Sequence, residues 1–347
     1  MRYYDLVTEP TTANGTILQT PSGNLPANGA KSRGLGRRWT SFPSGSFDAQ
    51  AQDIVFDLQI SPGHTPSGGT VISVHGVSIE DLRQAKDFSG SALTLSAGMK
   101  GGMPLSANQP APSQLVTATV FGAFGNWQGT EQTLDLVIVP STYTLENPGN
   151  IVFNWQPGQS FESAITQTLK VARPNATITL RVNTLLMTDQ PILHAVRTAN
   201  GLSHFVHELT RHNSALGPDY PGVSLYFNGS EITVTDYSSS VGPVIALKFD
   251  DLIGQPTWLE PPTLTINTTM RADIKVGSFI TLPQGDISGP GAVLTAPTSH
   301  AAALQNANQL TFNGQFIVTA LRAVGQFRGL DADDWITVIQ AVPAGEN

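Results

Sequence analysis

Gly125-Asn-Trp-Gln-Gly129 recurs late in the chain as Gly325-Gln-Phe-Arg-Gly329, and the two stretches share their flanks. Val116-Thr-Ala precedes the first, and the alternating run Thr133–Val139 follows it. Val318-Thr-Ala precedes the second, and Ile336–Val342 follows. The order is the same, and one gap of two residues aligns them. Each copy reads as a strand, a glycine-bracketed turn carrying one aromatic, and a closing strand. Glycine lets the backbone bend sharply, and the aromatic can plug the end of a barrel. The competing reading is coincidence in a glycine-rich chain. Duplication predicts one type of β-barrel used twice, so that three subunits can form a pseudo-sixfold ring.

Outward from the first copy, Ile54, Phe56, Leu58 and Ile60 fall on one face of a period-2 strand. Thr70–Val77, Ala92–Ala97 and Leu115–Phe121 read as further strands, and Ser78–Lys86 as one or two helical turns. Strands at this spacing, punctuated by Gly and Pro, indicate a sandwich or barrel over residues 49–150. Outward from the second copy, Val244–Phe249, Thr263–Asn267, Phe279–Leu282, Gly314–Arg322 and Trp335–Val342 predict a second barrel over residues 244–347. A Gly/Pro/Ala-rich excursion, Gly285–Asn308, reads as a long surface loop within it.

Residues 151–243 differ in character. Ser160 is a candidate N-cap for a helix carrying Phe161, Ala164, Ile165, Leu169 and Ala172, closed by Pro174. A strand with Ile178, Leu180 and Val182 follows, then a helix near Asn200–His212. Val223–Phe227 and Glu231–Thr235 flank Asn228-Gly229, a strong hairpin signal. The expectation is a small α+β domain between two tube-like β-barrels, in a mainly β chain. Residues 1–48, rich in Thr, Asn, Gly, Ser and Pro from Thr8 onward, read as an arm. Its basic run Lys31–Arg38 is read as solvated, the alternative being a contact with DNA or an acidic partner.

Of the 347 residues, 40% are hydrophobic and only 13% charged, so apolar material is ample and the surface relies on uncharged polar side chains. Charge is depleted where subunits meet. A net charge of −8 argues against a protein that grips phosphates, since duplex affinity comes mainly from Lys and Arg. It suits a surface past which DNA slides. With no Cys there are no disulfides or thiolate metal sites. The start has no apolar leader core and no run is long enough to span a membrane, so a soluble cytosolic product is expected. The sequons at Asn14, Asn175, Asn228 and Asn267 are read as chance.

The search for chemistry turns up Ser203-His204-Phe205-Val206-His207-Glu208-Leu209-Thr210-Arg211-His212. Its histidines at 207 and 212 are one place too far apart for a zincin pair. His204, Glu208 and His212 share a stripe that could take a divalent ion, but it reads better as the polar face of an amphipathic helix. Asp250-Asp251 needs a distant partner to serve as a glycosidase pair and reads better as a solvated strand end. Asp331, Asp333 and Asp334 lack the Gly and distal Glu of a calcium loop and read as turn caps. Met99-Lys-Gly-Gly-Met103 precedes a proline, not a helix, so it offers no anion site. No residue is assigned as catalytic, cofactor-binding or metal-binding, and a non-enzymatic protein is expected.

Several segments, in order, resemble the baseplate hub proteins of contractile-tailed phages. They include Met1-Arg-Tyr-Tyr-Asp-Leu-Val, Val55-Phe-Asp-Leu, Val74-His-Gly-Val-Ser-Ile-Glu-Asp-Leu-Arg-Gln-Ala and Leu93-Thr-Leu-Ser-Ala-Gly-Met-Lys-Gly-Gly-Met-Pro-Leu. Asn154-Trp-Gln-Pro-Gly-Gln-Ser opens the middle. Phe249-Asp-Asp-Leu-Ile-Gly-Gln-Pro-Thr-Trp, Met270-Arg-Ala-Asp-Ile-Lys-Val-Gly, Ile280-Thr-Leu-Pro and Val324-Gly-Gln-Phe-Arg with Trp335 follow. The resemblance implies a homotrimer whose two barrels per subunit make a pseudo-hexameric ring around the DNA channel. Its expected partners are the tail tube protein, the central spike, other baseplate proteins and the tape measure. No sequence-specific nucleic-acid binding and no membrane insertion are expected, and the place is the virion tail, assembled in the host cytoplasm. The alternatives are a tail-associated cell-wall hydrolase or carbohydrate-binding module, or another tube or adaptor ring protein.

Overall fold

A computed structural model describes residues 1–11, 34–64, 70–99, 113–139, 150–174, 176–212, 216–217, 220–228, 231–238, 244–260, 262–283 and 314–344. The chain opens with β1 (Arg2–Glu9), β2 (Arg37–Thr40), β3 (Asp53–Ile60) and β4 (Thr70–His75). Helix α1 (Ile79–Arg83) and a short 3-10 turn (Ala85–Phe88) lead to β5 (Ala92–Met99), β6 (Ser113–Gln128) and β7 (Glu131–Val139). The middle holds β8 (Ile151–Trp155), α2 (Phe161–Ala172), β9 (Thr177–Arg181) and β10 (Ile192–Val196). It continues with α3 (Ala199–Arg211), β11 (Ser224–Asn228) and β12 (Glu231–Thr235). The last stretch carries β13 (Val244–Ala246), β14 (Thr257–Glu260), β15 (Thr263–Thr269), β16 (Phe279–Thr281), β17 (Gln315–Gln326) and β18 (Trp335–Pro343). The fold is mainly β, with few helices.

One 13-stranded sheet runs β14-β15-β18-β17-β3-β4-β7-β6-β5-β1-β2, with β16 on β17 and β13 on β16. The same pattern appears in it twice. The first unit orders its strands β3-β4-β7-β6-β5-β1, and the second orders them β14-β15-β18-β17-β16-β13. Chain order and spatial order correspond strand for strand. The pairings within each unit are antiparallel, except that β13 lies parallel to β16 where β1 lies antiparallel to β5. The fold repeat is out of register with the short sequence match: Val120 bonds to Gly90 and Ser91 as Val318 bonds to Gly277 and Ser278, so Val120 rather than Val116 is the counterpart of Val318.

The two units share a sheet because β17 outruns its own neighbour. Its residues 315–317 pair with β16, and its residues 321–326 pair with β3 of the first unit, from Leu321↔Ile60 to Gln326↔Val55. Two hydrophobic cores result. One gathers Leu6, Ile54, Ile72, Leu95 and Leu136, and the other gathers Leu264, Ile266, Ile280, Val318 and Ile339. Alternation explains them: in β3, Ile54, Phe56 and Leu58 are buried while Asp57 and Gln59 are exposed.

A third core belongs to the middle domain. Ser160 caps α2 by accepting the Ser163 N–H at 3.3 Å, and the helix buries Phe161, Ala164, Ile165 and Leu169. Thr198 caps α3 in the same way through Gly201 N–H at 3.0 Å. The pair β11–β12 is antiparallel as expected, and β9 adds to it in parallel.

Three expectations need correction. The opening segment is not simply an arm: β1 pairs with β5 along its full length and β2 pairs with β1. Tyr4 and Leu6, fully buried, were in plain sight in an alternating run. From the basic run, Arg37 and Arg38 are spent on Asp81 (2.8 Å) and Asp5 (2.8 Å) inside the molecule. The glycine-bracketed segments are not turns at their first glycine. Strand β6 continues to Gln128 and turns at Gly129, where φ is 62°. Gly125 and Gly325 sit in strands because a Cβ there would meet Leu82 backbone at 2.9 Å or the Phe56 ring at 2.2 Å. Finally, β8, β10 and β14 lie where the sequence reading assigns no element. The predicted loop Gly285–Asn308 and residues 100–103 of the Met99 segment fall outside the described residues.

Candidate functional site

The seam between the two units is the most elaborately built surface in the molecule. The hairpin β17–β18 of the second unit inserts its end into the first core. Phe327 packs edge-on against Tyr4 at 4.9 Å, and Trp335 packs edge-on against Phe56 at 5.5 Å. The Trp335 indole N–H donates to the Gly98 carbonyl at 2.9 Å, so its one polar atom is satisfied in the core. Arg2 reaches across from β1, donating to the carbonyls of Gln326 (2.7 Å) and Asp331 (2.8 Å), and lies 5.9 Å from the Trp335 ring. Arg328 donates back to the Ala51 carbonyl at 2.7 Å. A charged fork holding carbonyls of a hairpin end fixes its geometry as well as its energy.

On the other face of the seam lies an open cleft of about 500 Å³, lined by Gln59, Thr70, Val71, Leu321 and Gln340 with Asp57 and Arg322. Arg322 grips Asp57 with two hydrogen bonds, 2.7 and 2.6 Å. The Asp57 carboxyl is held below its usual value chiefly by those hydrogen bonds. Both side chains are about half exposed, so the pair positions the strands more than it stabilises them.

The middle domain is fastened to both units. Asn228, at the end of β11, accepts the Thr117 N–H at 2.9 Å and donates to the Leu115 carbonyl at 3.3 Å. Leu115 is the residue that a register shift in β6 leaves without a partner on β5. Tyr226 donates to the Thr319 carbonyl at 2.7 Å, and burial pushes its phenol well above the usual range. Gly63 N–H, in the loop after β3, donates to the Leu225 carbonyl at 2.8 Å and brings His64 over α3.

There His64 stacks on His207, ring centroids 3.9 Å apart and nearly parallel. Burial, then the neighbouring His207 and His204, lower the His64 pKa to about 4, and burial chiefly lowers that of His207. The Nδ1 atoms of both, and the Ser203 hydroxyl, are buried without a protein partner. The sequence stripe His204, Glu208, His212 is not the grouping the fold makes. His212 Nδ1 lies 2.8 Å from the Glu208 carbonyl, and the histidine brought to α3 is one the sequence reading had not considered. Among the described residues, no group of three His, Asp or Glu could hold a metal ion.

The carboxylate candidates are used structurally. Asp251 is buried, receives the Lys248 N–H at 3.0 Å and pairs with Arg271 at 3.1 Å, while Asp250 points to solvent. Arg271 is also forked onto Asp273 at 3.0 and 2.6 Å. Asp334 accepts the Asp331 N–H at 2.8 Å, closing a 3-10 turn over Ala332–Asp334.

The corresponding hairpin end of the first unit, between β6 and β7, is not inserted into a core among the described residues. In β6, Phe121, Phe124 and Trp127 are 53%, 60% and 61% exposed, whereas Phe327 at the hairpin end of the second unit is 9% exposed. Trp127 therefore does not plug a barrel end; its indole N–H donates to the Gly129 carbonyl at 2.9 Å, and Phe327 alone does the plugging. The strength of the sequence repeat concealed this difference.

No family model matches the chain, and no curated protein matches it. Solved structures do. A component of the E. coli type VI secretion system, described as structurally similar to the T4 bacteriophage tail proteins gp27 and gp5, aligns over 85% of this chain and 74% of its own. The identity is 9% and the TM-score 0.47. A tail protein from Neisseria meningitidis aligns over 99% of this chain and 97% of its own, with 11% identity and a TM-score of 0.45. The 43 kDa tail protein of prophage MuSo2 from Shewanella oneidensis aligns over 85% and 100%, with 10% identity and a TM-score of 0.43.

Proposed function

We propose that the chain is a non-enzymatic structural subunit of a phage tail baseplate, a hub that forms a trimeric ring around the DNA channel. The observation that carries this reading is the six-strand unit used twice in one sheet. Three copies then present six similar units to a sixfold neighbour, the tail tube. The middle domain, present once per chain, offers threefold symmetry to a central spike. The net charge of −8 suits a wall that DNA passes without sticking. In this reading the protein sits in the virion tail after assembly in the host cytoplasm.

The test is the mass of the purified protein in solution, followed by imaging of the particle. A threefold mass and a central hole ringed by six lobes support the reading. A monomer at every attainable concentration, or a compact particle without a hole, overturns it. The competing reading, a cell-wall hydrolase, is tested by peptidoglycan clearing with Asp250→Asn, Asp251→Asn and Glu208→Gln. Clearing by the wild type that a variant loses would favour the enzyme.

A further inference from the structure

We infer that the end of the β6–β7 hairpin inserts into the second unit of a neighbouring copy of this chain, repeating between subunits the contact that β17–β18 makes within one. The inference rests on the ring reading above and names the surface by which the ring closes.

The reasoning is quasi-equivalence. Within the chain, β17 pairs with β16 only at residues 315–317, and its far half is taken by β3 of the other unit. Strand β6 is the counterpart of β17. It pairs with β5 at residues 113–119, and among the described residues no strand pairs with that same edge beyond Val120. An unpaired strand edge is a template for another chain. The side chains say the same. By strand register, residues 123–128 of β6 correspond to residues 321–326 of β17, which β3 covers, yet residues 124–128 are exposed without a break, while Phe327 just beyond is buried against Tyr4 and Trp335. A hairpin carrying three large aromatics in water on one strand is costly unless another surface covers it.

The receiving surface follows from the same correspondence. In the first unit, β1 and β3 receive the inserted hairpin. Their counterparts in the second unit are β13 and β14. Strand β14 is a terminal strand of the sheet, with Leu259 62% exposed, and Val244 in β13 is 42% exposed. Phe249, between those strands, is 68% exposed. Both halves of the contact thus carry apolar side chains in the free chain, and each is buried or paired in its internal counterpart. The contact is head-to-tail, so it closes a ring when the rotation between copies permits and builds a filament when it does not.

The absence of cysteine in the chain makes the test clean. Trp127→Cys and Leu259→Cys are purified separately, mixed, and treated with a short bismaleimide. A cross-linked dimer in the mixture, and none in either variant alone, is the expected result. Trp127→Asp with Phe124→Asp should weaken self-association at least about thirtyfold, the scale of losing an aromatic anchor. Its far-ultraviolet circular dichroism should match the wild type, since both side chains are exposed. Val171→Asp on α2, 85% exposed, is the control that leaves association unchanged. If the wild type forms the ring while the mixture does not cross-link and the double aspartate associates normally, this surface is wrong and the ring reading stands. If the wild type is a monomer throughout, both fall.

Discussion

Replacing Arg271 with methionine isolates the buried charge cluster that clamps the second unit. Arg271 and Asp251 are 7% and 5% exposed at their side chains, and Asp273 is 31% exposed. Burial lowers the guanidinium pKa, but the hydrogen bonds and charges of Asp273 and Asp251 outweigh it and hold Arg271 above its usual value. In the variant, Asp273 turns to water, whereas Asp251 keeps only the Lys248 N–H. Breaking one side of a buried pair costs about 3–5 kcal/mol, because the remaining charge is stranded in low dielectric. At about 2–4 °C per kcal/mol for a cooperative block of ~200 residues, the midpoint should drop by about 10 °C. Calorimetry of Arg271→Met, Asp251→Leu and the double variant reads this directly. The double variant should recover most of the loss, since neither charge remains to be desolvated. A single-variant loss below about 1 kcal/mol, or a double variant no more stable than Arg271→Met, refutes the argument.

Other consequences follow from the same geometry. Trp335→Phe removes the indole N–H from the Gly98 carbonyl at the seam and should cost about 1–3 kcal/mol, read as a lower unfolding midpoint. An unchanged midpoint would mean the carbonyl finds water. Asn228→Ala orphans the Leu115 carbonyl and Thr117 N–H at the β6 register shift. It should cost about 1–3 kcal/mol and speed hydrogen exchange at Thr117, and normal protection there would contradict the clasp. His64 and His207 both have pKa values below the free value of 6.5, so the folded state binds fewer protons than the unfolded one. Their contribution to stability is complete above about 6.5 and is lost as pH falls toward about 4. His64→Phe should flatten the decline of the unfolding midpoint over that window, and an unaltered pH profile would exclude the stacked pair as its source.

How much of the candidate surface could be read beforehand depends on the type of signal. Helix α2 was legible through its Ser160 cap, both α2 and α3 through 3.6-residue periodicity, and β3 and β7 through strict alternation. Strand β14 was hidden by its shortness, and β1 by the polar stretch that follows it. The His64–His207 stack joins residues from the loop after β3 and from a helix, and no local spacing signals that meeting. Asp251 reads as part of a solvated strand end, but the fold buries it because Arg271, distant in sequence, supplies its counter-charge.

Sequence alone determined the class of structure, because alternation, glycine and low charge act locally along the chain. It also pointed to a repeat, although Val116, which it matched to Val318, lies four positions out of register with the units the fold makes. Only the tertiary structure decided that the two copies are unequal. Burial depends on what packs opposite a side chain, and the first unit lies opposite Phe327 while nothing described in the chain lies opposite Trp127.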